Sequence, residues 1–455
     1  MRPLYSAVSA KKLDHYLIEK HSLSESVLID SAAKEVLDAV KDKLLSKKVI
    51  FLIGPGNNGA DGLEMARLLS RENQNVSLFF LSEKGSPENL KRREKYSYLN
   101  RAFEISGYDV IVDALFGFSF KGEADDYLLE IINEVNSSGS FVVSVDIPSA
   151  NLIKADITVS LMCSKLELYH PLERARSGKI LLRNPGFPED DIIAMAEDCF
   201  FLDESDLTIR EIPIDGYKNS RGHVAVLGGS DKYPGAPILS CLSAFHSGAG
   251  LVTLISAESV LDRAFRFHPS IMHSNGDGLS KFSSLAIGPG WDNGDENLLD
   301  KAISSGKNMV LDADSLKLLN GKKLGGRAII TPHIGEYKRL CSLLEIPNGL
   351  ESADSLRKSL KTLSDKLECV VVLKSSTVWI TDGENLFVFD GANPSLGVAG
   401  SGDVLTGIIA SLLAHGEGLL DAAINGVIMH QTAGRRAKEK YGYYSAEELI
   451  GEIVR

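Results

Sequence analysis

At 455 residues the chain exceeds what one ordinary hydrophobic core serves, so two domains are expected. Hydrophobic residues at 44% and charged residues at 24% are ordinary for a soluble globular protein. A net charge of -12 excludes the basic patch of a nucleic-acid binder, and no apolar run approaches the roughly 20 residues of a membrane span.

The opening MRPLYSAVSAKKLDHYLIEK has no signal-peptide apolar stretch, so a cytoplasmic protein with no membrane partner is expected. Beyond it, short β-branched runs alternate with helical patterns, the signature of layered α/β folds. Strands are predicted over 49–53, 76–81, 110–112, 141–145 and 157–160, and helices over 26–45, 62–72, 89–100 and 126–136. A further run, 179–182, meets the punctuating Asn184-Pro-Gly-Phe-Pro188. Residues 203–215 read as the junction, with 207–212 able to pair with a sheet. The second series of strands covers 223–227, 252–255, 285–287, 309–311, 328–330, 370–373 and 378–381. Its helices are expected over 237–247, 335–344, 352–367, 404–415 and 419–441. Ser445 and Glu448 have capping-box spacing for a last helix. The five cysteines are odd in number and widely spaced, which fits buried reduced thiols better than a zinc site or disulfide framework.

The most informative stretch is 393–407, NPSLGVAGSGDVLTG. Gly400 and Gly402 let the backbone approach an anion without Cβ interference. The first unpaired N–H groups of a helix starting near Val404 would hold a phosphoryl group, with Ser401 in the same turn. Asp403 beside them is placed to take a proton from a substrate hydroxyl. An N-capped helix after a glycine turn is the alternative reading. Five other polar clusters fall at predicted strand ends, where open α/β sheets bind ligands. They are Gly228-Gly-Ser230, Ile287-Gly-Pro-Gly290, Leu311-Asp-Ala-Asp314, Thr331-Pro-His-Ile-Gly-Glu336 and Lys374-Ser-Ser-Thr377.

In this order, residues 215–455 resemble the ADP- or ATP-dependent NAD(P)H-hydrate dehydratases of the ribokinase-like superfamily. The resemblance implies a repair reaction: the hydrated nicotinamide of NADHX or NADPHX is phosphorylated on its new hydroxyl, and loss of phosphate restores the cofactor. It makes Asp403 the base and the N–H groups of Gly400, Ser401 and Gly402 the stabilisers of phosphoryl charge. Lys374, Ser375, Ser376, Thr377 and Gly402 would contact the nucleotide, and Ala236, Gly290 and His333 would line the hydrate pocket. Mg²⁺ would bridge the phosphates. Ala399 and Lys317 stand where this family commonly has Gly and Asn.

In the first half, Gly54-Pro-Gly-Asn-Asn-Gly-Ala-Asp-Gly62 follows a strand and formally satisfies G-x-G-x-x-G, so a Rossmann dinucleotide site is the competing reading. Asn57, Asn58 and Asp61 instead load the turn with side-chain oxygens. With Val112-Asp-Ala-Leu-Phe-Gly117 and Ser144-Val-Asp-Ile-Pro-Ser149, residues 1–200 resemble the NAD(P)H-hydrate epimerases, which interconvert the R and S hydrates. The resemblance implies that Asn58, Asp113 and Ser149 hold K⁺. It assigns hydrate contacts to Asn57, Asn58, Gly59, Ala60 and Asp61, to Gly117, Phe118, Ser119, Phe120, Lys121, Gly122 and Glu123, and to Asp146. Asp146, at a strand end beside a proline turn, is the candidate for proton transfer. Ala60 and Ala150 replace glycines common in that family.

The expected fold is α/β, with an N-terminal Rossmann-like three-layer domain over 1–205 and a C-terminal ribokinase-like three-layer domain over 212–455. The expected protein is a homo-oligomeric isomerase and lyase: an epimerase fused to an ADP-dependent dehydratase that releases AMP and phosphate. The alternatives are a ribokinase-fold kinase of a vitamin precursor, and a dehydratase whose first half only binds or oligomerises.

Overall fold

The computed structural model describes residues 1–117, 124–208 and 214–454. The chain divides into two compact units, Pro3–Glu197 and Asp198–Arg455, with Met1–Arg2 belonging to the second. The division falls earlier than the expected end at 205. Cys199–Leu202 pairs in parallel with Leu386–Phe389, and Phe200 stacks on Phe387 with ring centroids 5.4 Å apart. Part of the expected 207–212 strand lies outside the described residues, and Thr208 instead exchanges hydrogen bonds with the Asn425 side chain.

The sheet of the N-terminal unit is all parallel. Its spatial order is Asn100–Arg101, Val76–Phe80, Val49–Ile53, Val110–Ala114, Phe141–Val145, Ile157–Leu161 and Lys179–Arg183. Side chains alternate across a strand, so each strand feeds two layers. Phe51, Ile53, Val110 and Val112 pack with Val36 and Val40 of the helix Glu25–Leu44 and with Leu63 and Ala66 of the helix Asn57–Leu69. Ile50, Leu52, Ile111 and Val142 pack on the other face with Leu128, Ile131 and Val135 of the helix Asp126–Ser137. The result is three layers around two apolar cores.

In the C-terminal unit the order runs Met272–His273, Leu251–Ile255, His223–Leu227, Ser284–Ile287, Asn308–Leu311, Ala328–Ile330, Val370–Leu373, Val378–Thr381, Leu386–Phe389 and Cys199–Leu202. The strands through Val370–Leu373 pair in parallel, and Val378–Thr381 is antiparallel to both neighbours. One face is covered by the helices Gly235–His246, Ser401–Ala414 and Leu419–Tyr441, packed on Val224, Val226, Ala286 and Val310. The predicted Ser445–Glu448 capping box is present on the last helix.

Several elements escaped the sequence patterns. Helices Ala7–His21, Glu258–Phe267 and Glu296–Ser304 and strand Leu386–Phe389 were not expected. The predicted 89–100 helix is Pro87–Lys95, started by the Ser86 hydroxyl accepting from the Asn89 N–H. All five cysteines are buried and unbridged. No described helix is long and apolar enough to cross a membrane.

Candidate functional site

Each unit carries its own polar centre, and in the C-terminal unit it gathers at the start of the helix Ser401–Ala414. That helix begins at Ser401, three residues before the expected Val404, because Gly400 caps it at φ +91. A Cβ at 400 would lie 2.5 Å from Leu239 Cδ1, so glycine is required on two counts. The Ser401 N–H is taken by the Val398 carbonyl and that of Val404 by the Gly400 carbonyl. Gly402 and Asp403 therefore supply the first-turn donors, and a positive helix end favours an anion there. The Ser401 hydroxyl points elsewhere, 3.0 Å from Nε2 of buried His430, whose ring burial pushes down to about 4 and so keeps neutral.

Around this turn the side chains form one network. Asp312, only 2% exposed, accepts from Lys374 Nζ at 2.7 Å and from the Thr406 hydroxyl at 2.9 Å. A Cβ at 402 would sit 3.2 Å from Lys374 Nζ and 3.6 Å from Asp312 Oδ2, so Gly402 admits the cation against the backbone. Burial pushes Asp403 up to about 7, with Asp312, Glu336 and Asp314 adding and Lys374 opposing. A carboxyl poised there is matched to proton abstraction near neutral pH. Its backbone carbonyl accepts from the Ser240 hydroxyl at 2.8 Å, which fixes the turn.

Other predicted residues of this unit fall into two groups. Ala236 and Gly290 are neighbours: a Cβ on Gly290, at φ +64, would lie 3.0 Å from the Ala236 Cβ. His333 and Lys374 are joined by a parallel backbone bridge. His333 is exposed and caps its helix, with Nδ1 accepting from the Gly335 N–H at 2.9 Å and Glu336 returning a bond to its N–H. Ser375, Ser376 and Thr377 continue from Lys374 into the next strand, and the Ser376 carbonyl accepts from Ala392 N–H. Asp312, part of the 311–314 cluster, was given no site role, and Thr406 was missed. The signal for both was spacing: an acid at a strand end, and a hydroxyl three residues after Asp403, on its helix face.

The N-terminal unit holds a cavity of about 750 Å³ lined by Asn57, Asn58, Asp61, Gly117 and Asp146. The expected loop around Asn57 is instead the start of the helix Asn57–Leu69, because Gly59 and Gly62 let it pack tightly against Gly54 and Ala114. A Cβ on Gly59 would lie 2.1 Å from the Gly54 carbonyl oxygen. Gly59 and the fully buried Ala60 thus belong to this packing rather than to the cavity wall. Ala60 lies inside the helix, where its methyl costs nothing conformationally. Phe118, Ser119, Phe120, Lys121, Gly122 and Glu123 lie outside the described residues.

Asp113 is fully buried and accepts from the Ser149 hydroxyl at 2.5 Å, the Ser149 N–H at 2.9 Å and the Ser144 hydroxyl at 2.8 Å. Burial pushes its carboxyl up, and these bonds oppose the shift. Both amide atoms of Asn58 are buried with no hydrogen-bond partner among the described residues. Asp146 stands at φ +73, and a Cβ on Gly117 would approach its Oδ2 to 3.2 Å. The unpredicted cavity residues include Lys165, in the apolar run ITVSLMCSK, and Asp14, on the helix Ala7–His21.

Ala150, where glycine is common in the resembling family, sits at φ +56. A left-handed backbone costs an L-residue roughly 1–2 kcal/mol, and the unfolded freedom of glycine offsets part of this. Ala150→Gly is expected to stabilise the N-terminal unit by about 0.5–1 kcal/mol, read by hydrogen exchange of its core amides. No gain would mean that Ala150 packing outweighs the strain.

Known proteins show the same two parts. Residues 224–455 match the family described as NAD(P)H-hydrate dehydratase, and residues 25–166 match the family described as YjeF-related protein N-terminus. The bifunctional NAD(P)H-hydrate repair enzyme of Dictyoglomus turgidum is 30% identical, over 94% of this chain and 92% of its own. That of Helicobacter pylori is 30% identical over 97% of both. Among solved structures, a ribokinase-like superfamily protein of Enterococcus faecalis superposes with a TM-score of 0.51 at 23% identity, covering 56% of this chain and 94% of its own. That likeness shows the fold.

Proposed function

We propose that this chain, which belongs to the bifunctional NAD(P)H-hydrate repair enzymes, runs two linked reactions, one in each unit. The N-terminal unit interconverts the R and S hydrates of NADH and NADPH. The C-terminal unit dehydrates the S form with ADP as phosphoryl donor, releasing AMP and phosphate. The observation that carries the reading is the Asp403 carboxyl, held near neutrality beside first-turn donors and the Lys374–Asp312 pair.

In the C-terminal unit, Asp403 takes the proton from the hydrate hydroxyl, and that oxygen attacks the terminal phosphorus of the nucleotide. The N–H groups of Gly402 and Asp403 and the Lys374 ammonium face the charge that grows on the transferred group. Asp312 and Asp314 are already engaged, by Lys374 and Thr406 and by Lys317 and the Asp292 N–H. The described residues form no cluster of three metal-ligating side chains, which fits a Mg²⁺ carried on the nucleotide phosphates rather than in a protein cage. When bound, the ion neutralises phosphate charge.

In the N-terminal unit the partnerless Asn58 amide suits a K⁺ ion, with the Ser149 hydroxyl and Asp113 carboxylate completing an oxygen set. The ion would supply positive charge beside Asn58, at the cavity wall. Asp146 moves the proton. A separately built cavity with its own ion pair argues against a lone vitamin-precursor kinase.

The test incubates the full chain with the hydrates and either ADP or ATP, following recovery of dihydronicotinamide absorbance. Recovery from the S form is expected with ADP, and from the R form only through the N-terminal unit. No recovery with either nucleotide would sink the dehydratase reading.

A further inference from the structure

The N-terminal cavity is lined by an ion pair, Lys165 with Asp146, and by the carboxyls of Asp14 and Asp61. Lys165 is 1% exposed, and its ammonium lies 2.6 Å from Asp146 Oδ1 while donating to the Leu161 carbonyl at 2.8 Å. Burial works against its charge, but Asp146, Cys163 and Glu167 hold it in the ammonium form. The strained backbone of Asp146 is pinned by its N–H donating to the Val159 carbonyl at 2.8 Å. Strain of this kind persists where the surroundings over-determine it, often at active sites.

Asp14 reaches the same cavity from the helix Ala7–His21. It lies four residues after buried Ala10 and three before buried Leu17, on the inward face. No hydrogen bond or ion pair engages its carboxyl among the described residues. Burial pushes it up, with Asp146 and Glu25 adding and Lys165 and His15 opposing. Asp61 is pushed up more strongly by burial, with Asp146 and Asp14 adding and Arg92 opposing. Asp146 is thus ion-paired, while Asp14 and Asp61 are pushed toward the protonated form. Environments that separate carboxyls in this way assign acid and base roles.

We propose that Asp14 is the catalytic acid of the N-terminal site and that Lys165 is the positioning residue whose ion pair holds Asp146, the base, in place. The assignment rests on the epimerase reading. It extends that reading to a residue outside the 25–166 family match.

The chemistry balances with solvent water as the co-reactant. Water adds to an enamine at the carbon bonded to nitrogen, so the hydroxyl of the hydrate sits beside the ring nitrogen. Asp14 gives its proton to that hydroxyl, the C–O bond breaks, and its electron pair leaves with water. The nitrogen lone pair forms a C=N bond. A second water adds to the same carbon from the other face, the C=N pair returns to nitrogen, and the spare proton passes to Asp146. Exchange with solvent resets both carboxyls, and the reverse epimerisation uses them in exchanged roles.

The full-length wild type, Asp14→Asn and Lys165→Met are compared for conversion of the R to the S hydrate, resolved by chromatography. Asp14→Asn is expected to lose at least about 100-fold in kcat, with KM little changed and the high-pH limb of the profile gone. Lys165→Met is expected to lower kcat with KM little changed, because the base loses the partner that orients it. Both should dehydrate the S hydrate at the wild-type rate. A wild-type rate and profile in Asp14→Asn overturns its role, and a wild-type kcat in Lys165→Met overturns that of Lys165. Asp14→Asn removes no partner, so it tests the acid even where Lys165→Met does not fold. A wild-type chain that leaves the R hydrate unchanged overturns the epimerase reading and this assignment with it.

Discussion

Asp403→Asn is expected to lose at least about 100-fold in dehydratase turnover while still binding nucleotide, because the amide keeps the shape and removes the base. The same carboxyl sets the pH dependence. The base works ionised, so the wild-type rate should rise with pH and reach half its plateau near 7. The charges around it sign the next shifts. Asp312→Asn removes a negative neighbour and moves the limb to lower pH, whereas loss of Lys374 moves it higher. Stability runs the other way. The folded-state pKa of Asp403 is raised, so its stabilising protonation is fully present below the unfolded value and lost as pH rises through about 7. Asp403→Asn should therefore stabilise the fold more at pH above 7 than in mild acid. A limb that stays near 7 in Asp403→Asn would assign the base elsewhere.

Lys374→Met is expected to cost both activity and stability. The ammonium is the cation nearest Gly402, and losing one such charge stabiliser commonly costs about 100- to 1000-fold in turnover. It would also strand the buried Asp312 carboxylate, a loss on the order of 3 kcal/mol. The double variant Lys374→Met with Asp312→Asn removes the stranded charge and should recover most of that stability while staying inactive. Both tryptophans, Trp291 and Trp379, lie in the C-terminal unit, so intrinsic fluorescence reports its unfolding directly. Recovery of turnover in the double variant would show that Lys374 acts only by pairing with Asp312.

What the sequence revealed depended on how local the signal was. The glycine turn before Asp403 was readable because the donors, the base and the permissive residues are consecutive. Its helix start was misplaced by three residues because the left-handed Gly400 acts as the cap, and no side chain marks it. The run GPGNNGADG read as a turn, since Asn and Gly dominate turns. Tertiary packing of Gly59 on the Gly54 carbonyl makes it a helix start. Lys165 and Asp14 were invisible for a different reason. They lie far apart in the chain, and only the fold brings them to one cavity. Periodicity shows the face a residue occupies, not the group it meets.

The strand Cys199–Leu202 has a practical consequence for separating the two activities. A C-terminal fragment begun at the junction read from sequence, near residue 212, would lack the strand that hydrogen-bonds to Leu386–Phe389 and carries Phe200. It would bare a row of unpaired backbone groups flanked by Phe387, the surface that recruits foreign strands. Poor solubility of such a fragment would then report a missing neighbour rather than a defective enzyme. A cut before Asp198 leaves that pairing whole.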